Sequence, residues 1–195
     1  MSHRTKPLAP KSGLAHIIRE LRYHEASRQI LGMALTVWFA WVAQPIAWLF
    51  WAGAALFAIG TVVRLWASGV IAKNKQLATS GPYLYVRHPL YVGNILILFG
   101  FAAASGVYWT AAVTVAFLLF YYPPAIEYEE RKLSKIFGAD WDDQVRGTKA
   151  LLPPFSNRPS DGGDTWSFKK SLLVNWEPLI AIFLLGWFVF IYFRL

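Results

Sequence analysis

Long apolar runs separated by short polar segments dominate the chain. Residues 29–63 carry no charged side chain, residues 88–126 carry none apart from the titratable His88, and residues 178–193 carry none. A helix needs about 20 mostly apolar residues to cross the hydrocarbon core of a bilayer. Each of the first two runs is long enough for two crossings, and the third is long enough for one. The pattern predicts an all-α, polytopic membrane protein with about five transmembrane helices.

Turn-forming residues predict where the runs divide. A proline removes a backbone donor and disrupts the preceding turn, so the first run is expected to break at Gln44-Pro45. The second run is expected to turn near Ser105-Gly106, with a kink or an end at Pro123-Pro124. A charged helix is then expected over residues 126–137, ended by Gly138.

Composition supports a membrane protein. The chain is 56% hydrophobic and 15% charged, which is far more apolar than a usual soluble domain. Its net charge of +8 comes from Lys and Arg beside the apolar runs, which fits anionic membrane lipids and the positive-inside rule better than nucleic acid. The absence of cysteine excludes disulfides, a thiolate nucleophile and cysteine-ligated metal.

The chain is expected to divide into two parts. Residues 1–28 form a basic cytosolic segment with a short amphipathic surface helix, and residues 29–195 form the membrane domain. Polar loops are expected at residues 74–88 and 139–170, and a final transmembrane helix at about residues 171–193.

The hairpin geometry predicts that two distant polar clusters meet. Between Arg87 and Glu127 lie 39 residues, and at 1.5 Å per residue they make roughly 60 Å of helix, or about two bilayer cores. Two crossings return the chain to the face that it left, so Arg87 and His88 should share one interfacial cleft with Glu129 and Glu130. The two carboxylates fall on the apolar stripe of their helix, where at least one needs a donor or a cation.

Taken singly, these residues have ordinary explanations. Arginines and tyrosines beside a span commonly anchor it at the lipid headgroups. A Glu-Glu-Arg-Lys segment is commonly a solvated helix face with local ion pairs. Their joint occurrence in one cleft favours a functional site.

A spaced pattern connects the two clusters: Gly-x-Tyr, then Arg-His-Pro-x-Tyr, then a hydrophobic hairpin, then Glu-Glu before Phe-Gly. It is formed by Gly81, Tyr83, Arg87, His88, Pro89, Tyr91, Glu129, Glu130, Phe137 and Gly138. In this pattern the chain resembles the integral membrane methyltransferases typified by isoprenylcysteine carboxyl methyltransferase, which are similar to phospholipid N-methyltransferases. The resemblance covers roughly residues 60–155.

The resemblance implies an S-adenosylmethionine-dependent methyltransferase with a cytosolic cofactor pocket and no metal. Its implied cofactor-binding residues are Gln76, Leu77, Ala78, Tyr83, His88, Pro89, Leu90, Tyr91, Glu129 and Glu130. The implied acceptor is lipophilic and enters from the bilayer, and carboxyl O-methylation of an isoprenylcysteine-like substrate is the expected reaction. Arg87 and Arg146 are the expected catalytic residues, since an arginine can hold a carboxylate acceptor in place.

Departures from the family pattern leave other functions open. Ala125 stands where prenylcysteine enzymes have an arginine, which favours an amine N-methyltransferase as the alternative. A Tyr-x-x-Tyr pair after Phe-Gly is replaced by Trp141 and Gln144. A sterol-reductase-like protein is a more distant alternative, and a small transporter or assembly factor is the non-enzyme one. The expected location is the plasma membrane of a prokaryote or the endoplasmic reticulum of a eukaryote, with the oligomeric state left open.

Overall fold

The computed structural model of the protein describes residues 25–71, 76–152 and 166–195, together with Gly13. Every regular element in these ranges is helical, which confirms the predicted all-α class. One isolated parallel bridge joins Val86 to Lys149. The surface helix expected in the basic amino-terminal segment, and residues 153–165 of the expected second loop, lie outside the described residues.

Six α-helices follow one another along the described ranges: α1 Glu25–Trp41, α2 Ala47–Val70, α3 Pro89–Ala104, α4 Tyr108–Phe137, α5 Ala139–Gly147 and α6 Glu177–Tyr192. A 3-10 turn, Gly81–Leu84, precedes α3. A π-helical turn, Lys170–Val174, precedes α6.

The two tight turns lie where the sequence predicts them. The break between α1 and α2 falls at Gln44 and Pro45, and the turn between α3 and α4 falls at Ser105 and Gly106. Gly106 has a φ of 69°, and a Cβ there would lie 2.1 Å from the carbonyl oxygen of Gln44. The amide of Gln44 donates to the carbonyl of Ser105 over 2.7 Å. Both turns therefore meet at one end of the helix bundle.

The predicted start of the charged helix, at residue 126, is wrong. Helix α4 continues through Pro123 and Pro124 to Phe137, so the apolar span and the charged tail form one helix of 30 residues. A proline removes one hydrogen bond from a helix, but packing against neighbours can hold the helix together, and Tyr122 and Pro124 are buried here. The predicted end is confirmed, because Gly138 follows Phe137 with a φ of 53°.

Two further boundaries differ from prediction. Part of the loop expected after α4 is helix α5, in which Asp140 and Asp142 in the first turn and Arg146 in the last complement the helix dipole. The final helix begins later than predicted, at Glu177. Trp176 takes the left-handed conformation there, with a φ of 58°, and separates the π-helical turn from α6.

Glycines bring α2 and α3 into close contact. A Cβ on Gly53 would lie 2.5 Å from the carbonyl oxygen of Gly100, and one on Gly60 would lie 2.8 Å from that of Gly93. Small residues of this kind let helix backbones approach one another in membrane proteins. Helix α6 completes the core through Phe188, whose ring packs against aromatic rings from α2 and α3.

Two helices, α2 and α4, are long and apolar enough to cross a membrane by length and composition. Helices α3 and α6 are apolar but have 16 residues each, and α1 has 17. The two long helices support a membrane protein, and the number of five crossings stays a prediction.

Candidate functional site

A cavity of about 300 Å³ lies away from the two tight turns, toward the other end of the bundle. Its walls come from all six helices and from the segment that precedes α3. The cavity therefore lies where the first residues of α1, α3 and α6 meet the charged part of α4.

Arg87 and His88 meet the glutamates of α4 at this cavity, as the hairpin geometry predicts. The Arg87 guanidinium donates through Nε and Nη2 to Glu130 Oε1, over 2.9 and 2.7 Å. His88 Nε2 lies 3.3 Å from the same oxygen. Nη1 of Arg87 donates to the carbonyl of Thr148. The guanidinium is thus hydrogen-bonded to Glu130 and to Thr148, the residue that follows α5.

The local backbone fixes the direction of these side chains. The amides of Arg87 and His88 donate to the carbonyls of Lys149 and Ala150, over 2.9 and 3.0 Å. Pro89 then occupies the first turn of α3, where a missing N–H costs nothing because the amides there have no partner within the helix. The start of α3 is therefore held both by its own proline and by the segment after α5.

Tyr91 connects three other groups on the cavity wall. Its hydroxyl donates to Glu129 Oε2 over 2.7 Å. Its ring stacks on that of His88 with the centroids 5.4 Å apart. The Arg28 guanidinium lies over the Tyr91 ring, 4.8 Å from the centroid. A carboxylate, two stacked rings and a cation thus occupy one small region of the wall.

A second polar cluster joins α2, α3 and α6 at the cavity. Arg64 donates to Glu177 Oε2 through Nε over 3.0 Å and to Oε1 through Nη2 over 2.5 Å. Its Nη1 donates to the side-chain oxygen of Asn94. Sequence reasoning missed this cluster. The available signal was one arginine inside an otherwise uncharged helix, since such a residue commonly faces a partner in the bundle interior.

The structure brings most of the predicted site residues to the cavity. Those that line it are Gln76, Leu77, Ala78, Tyr83, Arg87, His88, Pro89, Leu90, Tyr91 and Glu129. Glu130 does not line the cavity and is bound to Arg87 instead. Arg146 lies apart from the site: its side chain is 75% exposed and pairs with Asp143 on the same helix. The role of each residue stays a prediction.

Three buried polar atoms of cavity residues have no hydrogen-bond partner in the described part of the chain. They are the Tyr83 hydroxyl, Gln144 Oε1 and Asn175 Oδ1. Burial raises the pKa of Tyr83 far above its usual range, so this hydroxyl keeps its proton and can donate. An unsatisfied buried polar atom is costly, so these atoms mark places for a polar ligand or for water. Gln144 and Asn175 were not predicted as site residues.

The sequence profile of the phospholipid methyltransferase family matches residues 27–140, which is more than half of the chain. The chain belongs to this family. The resemblance to membrane methyltransferases is therefore confirmed, and methyl transfer is the activity that the family implies. The family match includes Arg28, Arg64 and the His88–Glu130 contact, whereas Gln144 and Glu177 lie beyond it.

Two curated relatives are named as metal-resistance proteins. The chain is 36% identical over 115 residues to the nickel-cobalt-cadmium resistance protein NccN of Alcaligenes xylosoxydans xylosoxydans, across 54% of each chain. It is 37% identical over 134 residues to the cobalt-zinc-cadmium resistance protein CzcN of Cupriavidus metallidurans, across 67% of this chain and 59% of that protein. The chain thus spans little more than half the length of these relatives. No solved structure matches it.

Proposed function

We propose that the protein transfers a methyl group from S-adenosylmethionine to a lipid-soluble acceptor in the membrane. The family supports methyl transfer in general. The observation that carries the proposal to this site is the meeting of His88, just before α3, and Tyr91, on α3, with Glu129 on α4 at one cavity.

The chemistry of the cavity fits this methyl donor. When bound, S-adenosylmethionine would supply an activated methyl group: the acceptor's electron pair forms the new bond to the methyl carbon, and the carbon–sulfur electron pair stays on the sulfur of S-adenosylhomocysteine. Glu129 uses Oε2 on Tyr91, and its other oxygen can accept from amine or hydroxyl groups of a ligand. Gln144 Oε1 and Asn175 Oδ1 also call for donors. The volume of about 300 Å³ lies at the lower end of the range for small-molecule sites.

The protein's task in such a displacement is to align the reacting groups and to exclude water. Arg87 is already bound to Glu130 and to the Thr148 carbonyl, so we assign it to positioning His88. We assign Glu129 and Tyr91 to the methyl donor. Arg28, which lies over Tyr91 and lines the cavity, is then a cation placed to meet the phosphate of the acceptor headgroup.

The structure supports an amine acceptor better than a carboxylate. The two arginines expected to hold a carboxylate are committed elsewhere, Arg87 to Glu130 and Arg146 to Asp143 outside the cavity. Ala125, which replaces the family's arginine, is buried in the cavity wall. The unpaired Asn175 Oδ1 suits an N–H group of an amine, which must reach the methyl group in its neutral form. We therefore propose an aminophospholipid headgroup as the acceptor and keep the isoprenylcysteine carboxylate as its competitor.

We further propose that five helices cross the plasma membrane of a bacterium, with the cavity facing the cytoplasm. The end of α6 lies beside the end of α1, because Arg194 donates to the Ala40 carbonyl over 3.1 Å. Exposed tryptophans at this end suit an interfacial aromatic belt: Trp41, Trp48, Trp51 and Trp109. The arginines at the cavity end suit the positive-inside rule.

Glu129→Gln tests the site, and Glu127→Gln on the same helix is its matched control. Glu127 is 55% exposed and pairs with Arg131 away from the cavity. With protein in nanodiscs, we expect Glu129→Gln to weaken S-adenosylhomocysteine binding by at least about tenfold, because hydrogen bonds to charged groups are among the stronger ones. Glu127→Gln should change it by less than about twofold. Absence of binding to the wild-type protein at millimolar concentration would refute the proposal.

Radiolabelled methyl transfer distinguishes the two acceptors. We expect label from S-adenosylmethionine to appear in phosphatidylethanolamine supplied in the nanodisc and not in a farnesylcysteine analogue. Labelling of the farnesylcysteine analogue alone would overturn the amine proposal and restore the carboxylate.

A part in metal resistance is a second candidate function, favoured by the names of the two relatives. Across the described ranges, no group of three or more His, Asp or Glu side chains could hold a metal ion, so we propose no metal ligands. Growth of a metal-sensitive bacterium in cadmium, with wild-type protein or with Glu129→Gln, tests this candidate. Resistance that depends on Glu129 would connect it to methyl transfer. Resistance conferred equally by both would support a transporter or assembly factor.

A further inference from the structure

Helix α5 presents an apolar wall with one polar group to the cavity. Trp141 and Gln144 lie three residues apart on its inner face and are 4% and 3% exposed. Both line the cavity, as do Leu133 and Phe137 near the end of α4. Helix α5 therefore contributes one aromatic ring and one amide to the cavity wall.

The amide of Gln144 has a fixed orientation. Its Nε2 donates to the carbonyl of Ala78 over 3.0 Å. The reversed amide would place two acceptor oxygens against each other, so the nitrogen belongs on the Ala78 side. Gln144 Oε1 is then left buried and without a partner in the described part of the chain. Helix α5 thus offers one buried acceptor of fixed orientation beside the Trp141 ring.

Among the three unpaired atoms, this one specifies its ligand most narrowly. The Tyr83 hydroxyl can donate or accept, and Asn175 is tied by Nδ2 to the Ser68 carbonyl beside the charged Arg64–Glu177 cluster. Gln144 Oε1 can only accept, and the Trp141 ring lies three residues before it on the same inner face of α5. A flat aromatic ring with an exocyclic amine meets both requirements, because the ring packs on Trp141 and the amine donates to Gln144.

Resting on the proposed function, we infer that Gln144 recognises the 6-amino group of the adenine ring of the methyl donor. Helix α5 then selects adenine over hypoxanthine, which carries an oxygen at that position. A site that hydrogen-bonds a ligand group rejects an analogue that lacks it, because the buried partner stays unpaired. Gln144 and Trp141 lie beyond the range that the family profile matches.

The ratio of two affinities tests the inference. S-adenosylhomocysteine and S-inosylhomocysteine are titrated by calorimetry into the full-length protein in nanodiscs. We expect the wild-type protein to prefer the adenosyl compound by at least about tenfold. Gln144→Met keeps the length of the side chain but removes the acceptor, and its ratio should fall toward one.

The control and the second variant separate recognition from structure. Gln44→Met makes the same change on an exposed glutamine at the far end of the bundle and should leave both affinities unchanged. Should Gln144→Met not fold, Gln144→Asn withdraws the oxygen by one carbon and should also lose the preference.

Two results overturn the inference while the proposed function stands. One is equal affinity of the wild-type protein for both compounds. The other is a uniform loss of affinity in the variants with the ratio intact, which would make Gln144 a structural residue. Failure of the wild-type protein to bind S-adenosylhomocysteine at all would instead refute the proposed function.

Discussion

The buried ion pair between Arg64 and Glu177 allows a quantitative prediction that does not depend on the proposed activity. The pair ties α2 to the first turn of α6, and the two side chains are 13% and 8% exposed. Arg64→Met would leave the Glu177 carboxylate buried without the guanidinium that binds both of its oxygens. Removing one partner of a buried pair costs about 3–5 kcal/mol, because the remaining charge is desolvated without compensation.

We therefore expect Arg64→Met and Glu177→Gln each to lower the free energy of unfolding by about 3–5 kcal/mol. In a chain of this size, about 1 kcal/mol shifts Tm by roughly 2–4 °C, so each Tm should fall by about 6–20 °C. The double variant removes both charges and with them the uncompensated desolvation. It should be more stable than the sum of the single changes predicts.

Thermal unfolding in one detergent, followed by intrinsic fluorescence of the ten tryptophans, measures all three variants. Glu127→Gln is the control, because its ion pair with Arg131 is 55% exposed on both sides and exposed pairs contribute about 0–1 kcal/mol. Single variants that lose no more stability than this control would contradict the role of the buried ion pair. A double variant whose loss of stability equals the sum of the two single losses would contradict it as well.

Three other predictions concern the helix contacts and the site. Gly100→Ala should lower the free energy of unfolding by about 1–3 kcal/mol, because its Cβ would lie 2.8 Å from a backbone nitrogen of α2. A Cβ on Gly186 would have nothing within 4 Å, so Gly186→Ala should leave Tm nearly unchanged. Equal Tm values for the two variants would contradict this packing. Tyr91→Phe keeps the ring but loses the hydroxyl that donates to Glu129 on α4. S-adenosylhomocysteine should then bind about 3–10 times more weakly by calorimetry. Unchanged binding would show that this hydrogen bond does not contribute to the site. Arg28→Gln should raise the KM for phosphatidylethanolamine with little change in kcat, because the side chain could no longer meet the headgroup phosphate. A loss confined to kcat would exclude a binding role for Arg28.

The meeting of the two polar clusters could be predicted because it depends on chain geometry alone. Two helices joined by a tight turn return the chain to the end at which it started, so Arg87 and His88 were expected near Glu129 and Glu130. The sequence could not predict which groups pair, since pairing depends on side-chain direction. Glu130 accepts from Arg87, and Glu129 accepts from the Tyr91 hydroxyl.

The misplacement of Arg146 follows from a missed helix. Read as a loop, residues 139–147 set no constraint on where its guanidinium points. As helix α5, they place Arg146 five positions after the buried Trp141, and at 100° per residue it is turned about 140° away from that inner face. The exposed position of Arg146 is thus a consequence of helical phase. Sequence reasoning would have reached it had α5 been recognised.

The same helical phase explains the structural effect of the departure from the family pattern after Phe137-Gly138. Trp141 and Gln144 keep the spacing of the Tyr-x-x-Tyr pair, and that spacing puts both side chains on the inner face of α5. The apolar ring is kept at the first position, but at the second a hydroxyl that can donate or accept gives way to an amide. Because the Ala78 carbonyl accepts from the amide nitrogen, only the acceptor oxygen of Gln144 is left without a partner in the described part of the chain. A departure at the same spacing therefore changes which ligand groups α5 can bind while both side chains stay on its inner face.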